Sequence, residues 1–255
     1  MRIMNKKILY YLCPTFAQII LVSLIAFILQ NCGCVCGYDS VPGIILIIAG
    51  GISSALWGCV FQIRHNDKTI KMIIKDFFSF KAEFRYYILV ILFMILDFSD
   101  VFISGSIQIR SVFAVLLIFI RSIAFGGIEE IGWRYTFQPF IEKKLPYFAA
   151  TISTFVFWGI WHFLFFYIDG SISIIQVFPF LIGLLTNCFI LSAIYNCTNN
   201  LWLCVLTHSL INTFSQVTVS GSSRNVYIGL FARIMIISLA IVSCRKSRAD
   251  NSPAG

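Results

Sequence analysis

Long apolar runs alternate with short polar segments along most of the chain. A helix needs about 20 mostly apolar residues to cross the hydrocarbon core of a bilayer. By that criterion the pattern predicts eight transmembrane helices, and hence an all-α, polytopic integral membrane helix bundle. The seventh run is short and polar, whereas the fourth is long enough to extend past the membrane. The predicted spans are Ile8–Gln30, Gly43–Ile63, Tyr86–Ile103, Ser111–Phe140, Tyr147–Tyr167, Ile172–Ile194, Leu201–Phe214 and Val226–Cys244.

The composition supports a membrane protein. Of 255 residues, 59% are hydrophobic and 12% are charged, whereas soluble domains are nearer half apolar and a quarter charged. These values exclude an ordinary soluble enzyme, a disordered protein and a nucleic-acid binder. No soluble domain fits between the runs, so we predict one transmembrane domain over residues 1–255.

Basic residues are distributed unevenly among the connecting segments. If the N-terminus is cytoplasmic, fourteen Lys and Arg residues lie in inside segments, and Arg110 and Arg224 alone lie outside. This bias favours both termini in the cytoplasm. The basic residues that give the net charge of +8 therefore indicate the orientation of the helices in the membrane rather than nucleic-acid binding. The first run is long and no small-x-small cleavage site follows it, so we expect a retained helix.

Two connecting segments leave alternatives open. The longest one, Arg64–Arg85, interleaves apolar residues with lysines, a pattern that fits either a basic interfacial helix or a plain solvated loop. The first outside loop carries Cys32, Cys34 and Cys36 in a C-x-C-x-C spacing, which does not suit zinc. A disulfide in an oxidising space and small thiols packed near a helix end both fit this cluster.

The fourth run contains the acid pair Glu129 and Glu130, followed by Arg134. Ionisable groups at a helix centre cost about 2.5–3.5 kcal/mol or more unless they are paired or face a cavity. Glu130 and Arg134 are four residues apart, so a helix would place them on one face as a pair. Glu129 is rotated by about 100° from Glu130 and can serve another purpose, such as general base. A purely structural charge cluster or an ion path fits the motif equally well.

Two further runs carry one histidine motif each. In the fifth, Trp158 precedes His162 by four residues, so Trp158 is either core or a wall beside the imidazole. In the seventh, His208 and Asn212 are four apart, and both can donate hydrogen bonds toward one point, as a developing oxyanion requires. Each motif alone also fits polar residues that hold membrane helices together.

Together the three motifs provide a base, a group that orients water and two oxyanion donors. This set could hydrolyse a peptide bond within a membrane. The sequence contains no H-E-x-x-H and no G-x-S-x-G. We therefore predict no metal and no cofactor, although two glutamates and two histidines could in principle hold zinc.

The motifs, in this order and helical context, resemble those of the CPBP family of intramembrane proteases. That family includes the CAAX prenyl endopeptidases and the bacteriocin-processing or self-immunity proteins of the Abi group. Its pattern is E-E-x-x-x-R, F-x-x-x-H and H-x-x-x-N, and the matching core covers residues 126–212. Trp158 stands where the pattern has Phe, and Tyr135 stands where many members have Gly.

The resemblance implies a metal-independent glutamate protease with an eight-helix membrane core. Glu129 would deprotonate water that His162 helps to hold, and His208 and Asn212 would stabilise the oxyanion. Glu130 and Arg134 would support the site. The expected partners are membrane lipid and a peptide or lipidated-protein substrate. The alternatives are a non-catalytic bacteriocin self-immunity or scaffold protein and, less favoured because no inverted repeat is visible, a transporter.

Overall fold

The computed structural model describes residues 6–34, 37–109, 111–219 and 226–250. This part of the chain is mainly helical, which confirms the predicted all-α class. Two strands of two residues each, β1 (Ser106–Ile107) and β2 (Thr218–Val219), form one short antiparallel pair. Cys36, Arg2, Arg110 and Arg224, on which predictions above depend, lie outside the described residues.

The helices follow the apolar runs in order. They are α1 (Lys6–Asn31), α2 (Val41–Gly51), α3 (Ser53–His65), α4 (Ile70–Phe77), α5 (Phe84–Asp97), α6 (Ser99–Ser104), α7 (Val112–Phe125), α8 (Glu130–Gly132), α9 (Gln138–Glu142), α10 (Tyr147–Asp169), α11 (Val177–Thr198), α12 (Leu201–Val217) and α13 (Val226–Asp250). A 3₁₀ turn, Gly127–Glu129, precedes α8, and a π-helical turn, Trp133–Phe137, follows it.

Five stretches of the described chain are long and apolar enough to cross a membrane. They correspond to predicted spans one, two, four, five and six: Lys7–Asn31, Val41–His65, Val112–Glu142, Tyr147–Asp169 and Val177–Thr198. These stretches define an integral membrane protein. The sixth begins five residues later than predicted, because residues 171–176 form turns.

The other three predicted spans are shorter as helices, so the count of eight stays a prediction. The third breaks at Phe98 into α5 and α6, and the 14 residues of α5 rise only about 21 Å. The break coincides with the polar sequence Asp97 to Asp100. Helix α12 has 17 residues, and α13 contains a shorter apolar helix, Gly229–Cys244.

Polar side chains mark several helix starts. Ser40, Ser111 and Asn200 adopt extended backbone conformations and accept hydrogen bonds from the first-turn amides of α2, α7 and α12. Such caps satisfy amides that have no partner within the helix. These short polar residues therefore end each connection where the next apolar run begins.

The segment Arg64–Arg85 contains a helix rather than only a loop. In α4, Ile73 and Phe77 are buried, whereas Ile70 and Ile74 are about half exposed. Lys71 and Lys75 are also exposed and lie four residues apart, on one face. The helix is thus amphipathic, as one of the two alternatives had it, and its position at a membrane surface stays a prediction.

The chain forms two compact units, each made of two segments. The first comprises Met1–Ile73 and Ile131–Leu185, and the second comprises Ile74–Glu130 and Thr186–Gly255. In the first unit, α1, α2, α3 and α10 pack around buried aromatic side chains. The largest of these are Tyr11, Trp133, Phe137, Trp158 and Trp161. The prediction of one domain over residues 1–255 is not tested by this division.

The second unit is built on the packing of α12 against α7, with α5 also packed against α12, and with α13 packed against α5 and α6. Small residues allow α12 to pack closely against α7 and the turn that follows it. Gly127 faces Val205 and Ser209, and Thr213 Oγ1 lies 3.4 Å from Ser122 Oγ. Helix α12 carries His208 and Asn212, and α7 leads into the turn that carries Glu129, so this packing positions part of the candidate site.

Candidate active site

The acid motif lies where the helical winding changes three times within eleven residues. The predicted continuous helix over Ser111–Phe140 is therefore wrong in detail: α7 ends at Phe125, and 3₁₀, α and π turns follow. Glycine favours such interruptions because it has low helix propensity and allows close approach of other backbones. A Cβ on Gly132 would lie 2.5 Å from Ser54 O, so α3 occupies that space.

The π-helical turn has its own hydrogen-bond partners within the first unit. Gln62 on α3 donates from Nε2 to Tyr135 O at 2.7 Å, and Thr136 Oγ1 donates to Ile131 O at 2.8 Å. These bonds satisfy carbonyl groups that a change of winding would leave without partners. Sequence reasoning missed Gln62, although an amide between Phe61 and Ile63 in an apolar helix is a usable signal.

Glu130 and His208 form a buried contact in the second unit. Glu130 Oε1 lies 2.7 Å from His208 Nδ1, and the two side chains are 0% and 5% exposed. We predicted Arg134 as the partner of Glu130, and the contact with a histidine 78 positions away was not foreseen. Since an ionised carboxylate only accepts hydrogen bonds, Nδ1–H donates to it. The carboxylate thereby fixes the orientation of the imidazole.

Asn212 lies one turn beyond His208 on α12, and both face Gly126. A Cβ placed on Gly126 would overlap Asn212 Nδ2 and would lie 3.1 Å from His208 Nε2. The two nitrogens that could donate to an oxyanion are therefore neighbours in space as well as on the helix. Glu129 is also buried, on the 3₁₀ turn that follows Gly126.

His162 belongs to the first unit, on α10. Its Nδ1 lies 2.9 Å from Trp158 O, one turn earlier on the same helix. A carbonyl oxygen only accepts, so Nδ1 carries a proton, and Nε2 of the neutral ring is an acceptor. Trp158 and Phe180 rings lie 5.0 and 5.4 Å from the imidazole, measured between centroids. Trp158 is thus both a wall beside His162, as one prediction had it, and a buried core residue.

Arg134 is fully buried in the π-helical turn of the same unit. Its guanidinium carbon lies 4.1 Å from the centre of the Trp158 ring, a cation–π geometry. Tryptophan binds a cation more strongly than phenylalanine does. The departure from the family pattern at Trp158 therefore provides a larger and better face for Arg134.

Within the described residues, no group of three or more His, Cys, Asp and Glu side chains is placed to hold a metal ion. Cys32 and Cys34 are exposed free thiols near the end of α1, and the choice between a disulfide and packed thiols for that cluster stays a prediction. The third member, Cys36, lies outside the described residues.

Comparison with known families supports a protease. Residues 111–214 match the family model described as Rce1-like, type II CAAX prenyl endopeptidase. The match covers less than half of the chain, but it contains all three motifs. It confirms the predicted resemblance to CAAX-type intramembrane proteases. No curated protein matches this chain.

Proposed function

We propose that this protein is an intramembrane endopeptidase that hydrolyses peptide bonds of membrane-associated or lipidated peptides with a glutamate-activated water. The family match over residues 111–214 carries this proposal, because it contains every residue to which we assign a role. The matched family is described as one of CAAX prenyl endopeptidases, so a prenylated peptide ending in a CAAX sequence is the first substrate to test.

In this proposal Glu129 takes a proton from the attacking water, and His162 helps to hold that water. The oxygen adds to the peptide carbonyl carbon, and the carbonyl oxygen becomes an oxyanion. When the tetrahedral intermediate collapses, the C–N bond breaks and the proton goes to the leaving amine. The buried position of Glu129 and the Nε2 acceptor of His162 are compatible with these roles.

His208 and Asn212 donate hydrogen bonds to the oxyanion. Since His208 Nδ1 already donates to Glu130, donation from Nε2 requires an imidazole that carries both protons. A carboxylate partner compensates the positive charge of that form in a dry environment. We therefore assign Glu130 as the positioning residue for His208, and Arg134 as a supporting residue in the π-helical turn.

The test compares the wild type with Glu129→Gln in lipid nanodiscs, with cleavage of a farnesylated CAAX peptide as the readout. We expect Glu129→Gln to lower kcat by about 10²–10⁴-fold, the usual contribution of a general base, without loss of folding. Glu142→Gln, in the same apolar stretch but outside the motifs, is the matched control and should retain activity. Intact cleavage by Glu129→Gln would refute the assigned base.

If the wild type cleaves no such peptide, membrane peptidomics of cells carrying wild type or Glu129→Ala provides a wider search. An unchanged peptide pattern together with unchanged bacteriocin protection would favour the non-catalytic immunity alternative. Inhibition by a chelator would favour a metal-dependent mechanism instead.

We also propose that both termini face the cytoplasm of a bacterial cell. The support is the Lys and Arg bias between alternate connecting segments. Fusions of a fluorescent protein and of alkaline phosphatase to each terminus test it: fluorescence with no phosphatase activity is expected. Phosphatase activity at either end would overturn the orientation.

A further inference from the structure

Two adjacent glycines, Gly126 and Gly127, join α7 to the acid pair. The backbone of Gly126 has φ −89° and ψ −52°, a right-handed conformation that any L-residue can adopt. Conformational freedom is therefore not the reason for glycine at this position. The reason must lie in the space that a side chain would need.

That space is occupied by the nitrogens of the proposed oxyanion donors. A Cβ on Gly126 would overlap Asn212 Nδ2, and His208 Nε2 would lie 3.1 Å from it. We infer that Gly126 is the positioning residue for the Asn212 amide, because the absence of a side chain there sets where that amide can lie. This inference rests on the proposed function, since the amide matters for catalysis only if it binds an oxyanion.

The neighbouring glycine faces different atoms. A Cβ on Gly127 would lie 2.8 Å from Val205 Cγ1 and 2.9 Å from Ser209 Oγ. Gly127 thus permits the close packing of the 3₁₀ turn on α12, and the three atoms nearest to such a Cβ belong to Val205 and Ser209. Alanine at Gly126 should displace a donor, whereas alanine at Gly127 should loosen the helix packing. Comparing the two variants therefore separates these two effects.

The expected consequence for catalysis follows from the geometry of oxyanion donors. They act when they lie about 2.7–3.1 Å from the developing charge. A carbon at Cβ that overlaps Nδ2 must push the amide away by about 1 Å to restore the ordinary contact distance of about 3.5 Å. A misplacement of that size can lower the rate by about 10²-fold.

The first arm of the test measures cleavage of the farnesylated CAAX peptide. Gly126→Ala should lower kcat by about 10²-fold with little change in KM, because the donors act mainly in the transition state. In an Asn212→Ala background the same substitution should change kcat by less than about tenfold, since the overlapped amide is gone and the contact with His208 Nε2 at 3.1 Å requires only a small shift. Gly183→Ala is the control, since no atom lies within 4 Å of a Cβ placed there. A tenfold or larger effect of Gly126→Ala in both backgrounds would overturn the inference.

The second arm uses thermal unfolding in detergent and does not depend on activity. Gly126→Ala should lower the midpoint in the wild type and have little effect in Asn212→Ala, whereas Gly127→Ala should lower it equally in both. Equal losses from Gly126→Ala in both backgrounds would show that the amide is not what the side chain displaces. If the wild type cleaves neither the farnesylated CAAX peptide nor any peptide found by membrane peptidomics, the proposed function fails, and this arm still decides the steric coupling.

Discussion

His208 and His162 are the same residue type in two different settings. In the second unit, His208 Nδ1 faces the carboxylate of Glu130 at 2.7 Å. In the first unit, His162 Nδ1 faces the backbone carbonyl of Trp158 at 2.9 Å, among aromatic rings. A carboxylate carries a full negative charge that can compensate a positive charge on its partner, whereas a carbonyl group provides only a dipole. The difference suits His208 to donate from both nitrogens and His162 to accept at Nε2.

The largest effect that tests this comparison is expected from Glu130→Gln. The amide oxygen can still accept from His208 Nδ1, but it cannot compensate a charged imidazole. We expect a loss of about 10²–10³-fold in kcat, the usual cost of removing one oxyanion donor. Peptide cleavage by the purified variant in nanodiscs measures it.

Double variants sharpen the same prediction. Glu130→Gln added to His208→Gln should have little further effect, because the two residues act as one unit. When Glu130→Gln is combined with His162→Gln, the two losses in kcat should multiply, because the two residues have separate roles. Multiplicative losses in both double variants would contradict a carboxylate that acts through His208.

The next effect concerns stability in the first unit. Gln62→Leu removes the donor to Tyr135 O and leaves a partly buried carbonyl without that bond. Such a loss costs about 1–3 kcal/mol. Unfolding of the variant in mixed micelles should show it, and Gln30→Leu, exposed on α1, should be close to neutral. An unchanged midpoint for Gln62→Leu would mean that the π-helical turn does not depend on this amide.

A smaller effect is expected from Trp158→Phe, which restores the family pattern. The phenyl ring offers a weaker face to Arg134, and a cation–π contact contributes about 0.5–2 kcal/mol. We expect Trp158→Phe to lower the unfolding midpoint, and to lower it less when Arg134 is already methionine, because only the loss of packing then remains. If the losses from the two substitutions simply add, the ring does not stabilise the guanidinium.

The smallest effect is expected at the amphipathic helix α4, outside both histidine settings. Each lysine near an anionic bilayer contributes about 1 kcal/mol or less to surface attraction. Lys71→Gln with Lys75→Gln should therefore reduce the extra thermal stability that phosphatidylglycerol nanodiscs provide over phosphatidylcholine ones. Lys143→Gln with Lys144→Gln is the matched pair, both exposed in a short connection. Equal losses from both pairs would refute a specific role for α4.

Much of the architecture could be predicted from local patterns. Apolar runs of sufficient length predicted five stretches that could cross a membrane, and the spacing of isoleucines and lysines predicted the amphipathic face of α4. The third span was overestimated, because a run of apolar residues does not reveal a helix break at Phe98. Hydropathy measures the free energy of transfer to lipid and contains little information about such breaks.

The candidate site was predictable only as a set of residue types. The motif spacings brought out Glu129, His162, His208 and Asn212, because ionisable and amide groups are costly in apolar helices. The spacing of Glu130 and Arg134 assumed α-helical winding. The π-helical turn that begins at Trp133 departs from that winding, and it is hydrogen-bonded to Gln62 on another helix, α3. The pairing of Glu130 with Arg134 stays a prediction.

By itself, the sequence determined the membrane class, the order of the apolar helices and the family resemblance, since each depends on composition or spacing along the chain. The tertiary structure alone decided that Glu130 contacts His208, that Arg134 lies over Trp158 and that Gly126 faces Asn212. These pairs join residues between 24 and 86 positions apart. Contacts of that kind depend on how closely helices pack. Packing depends on the shapes of side chains that are distant in the sequence and are brought together only by folding.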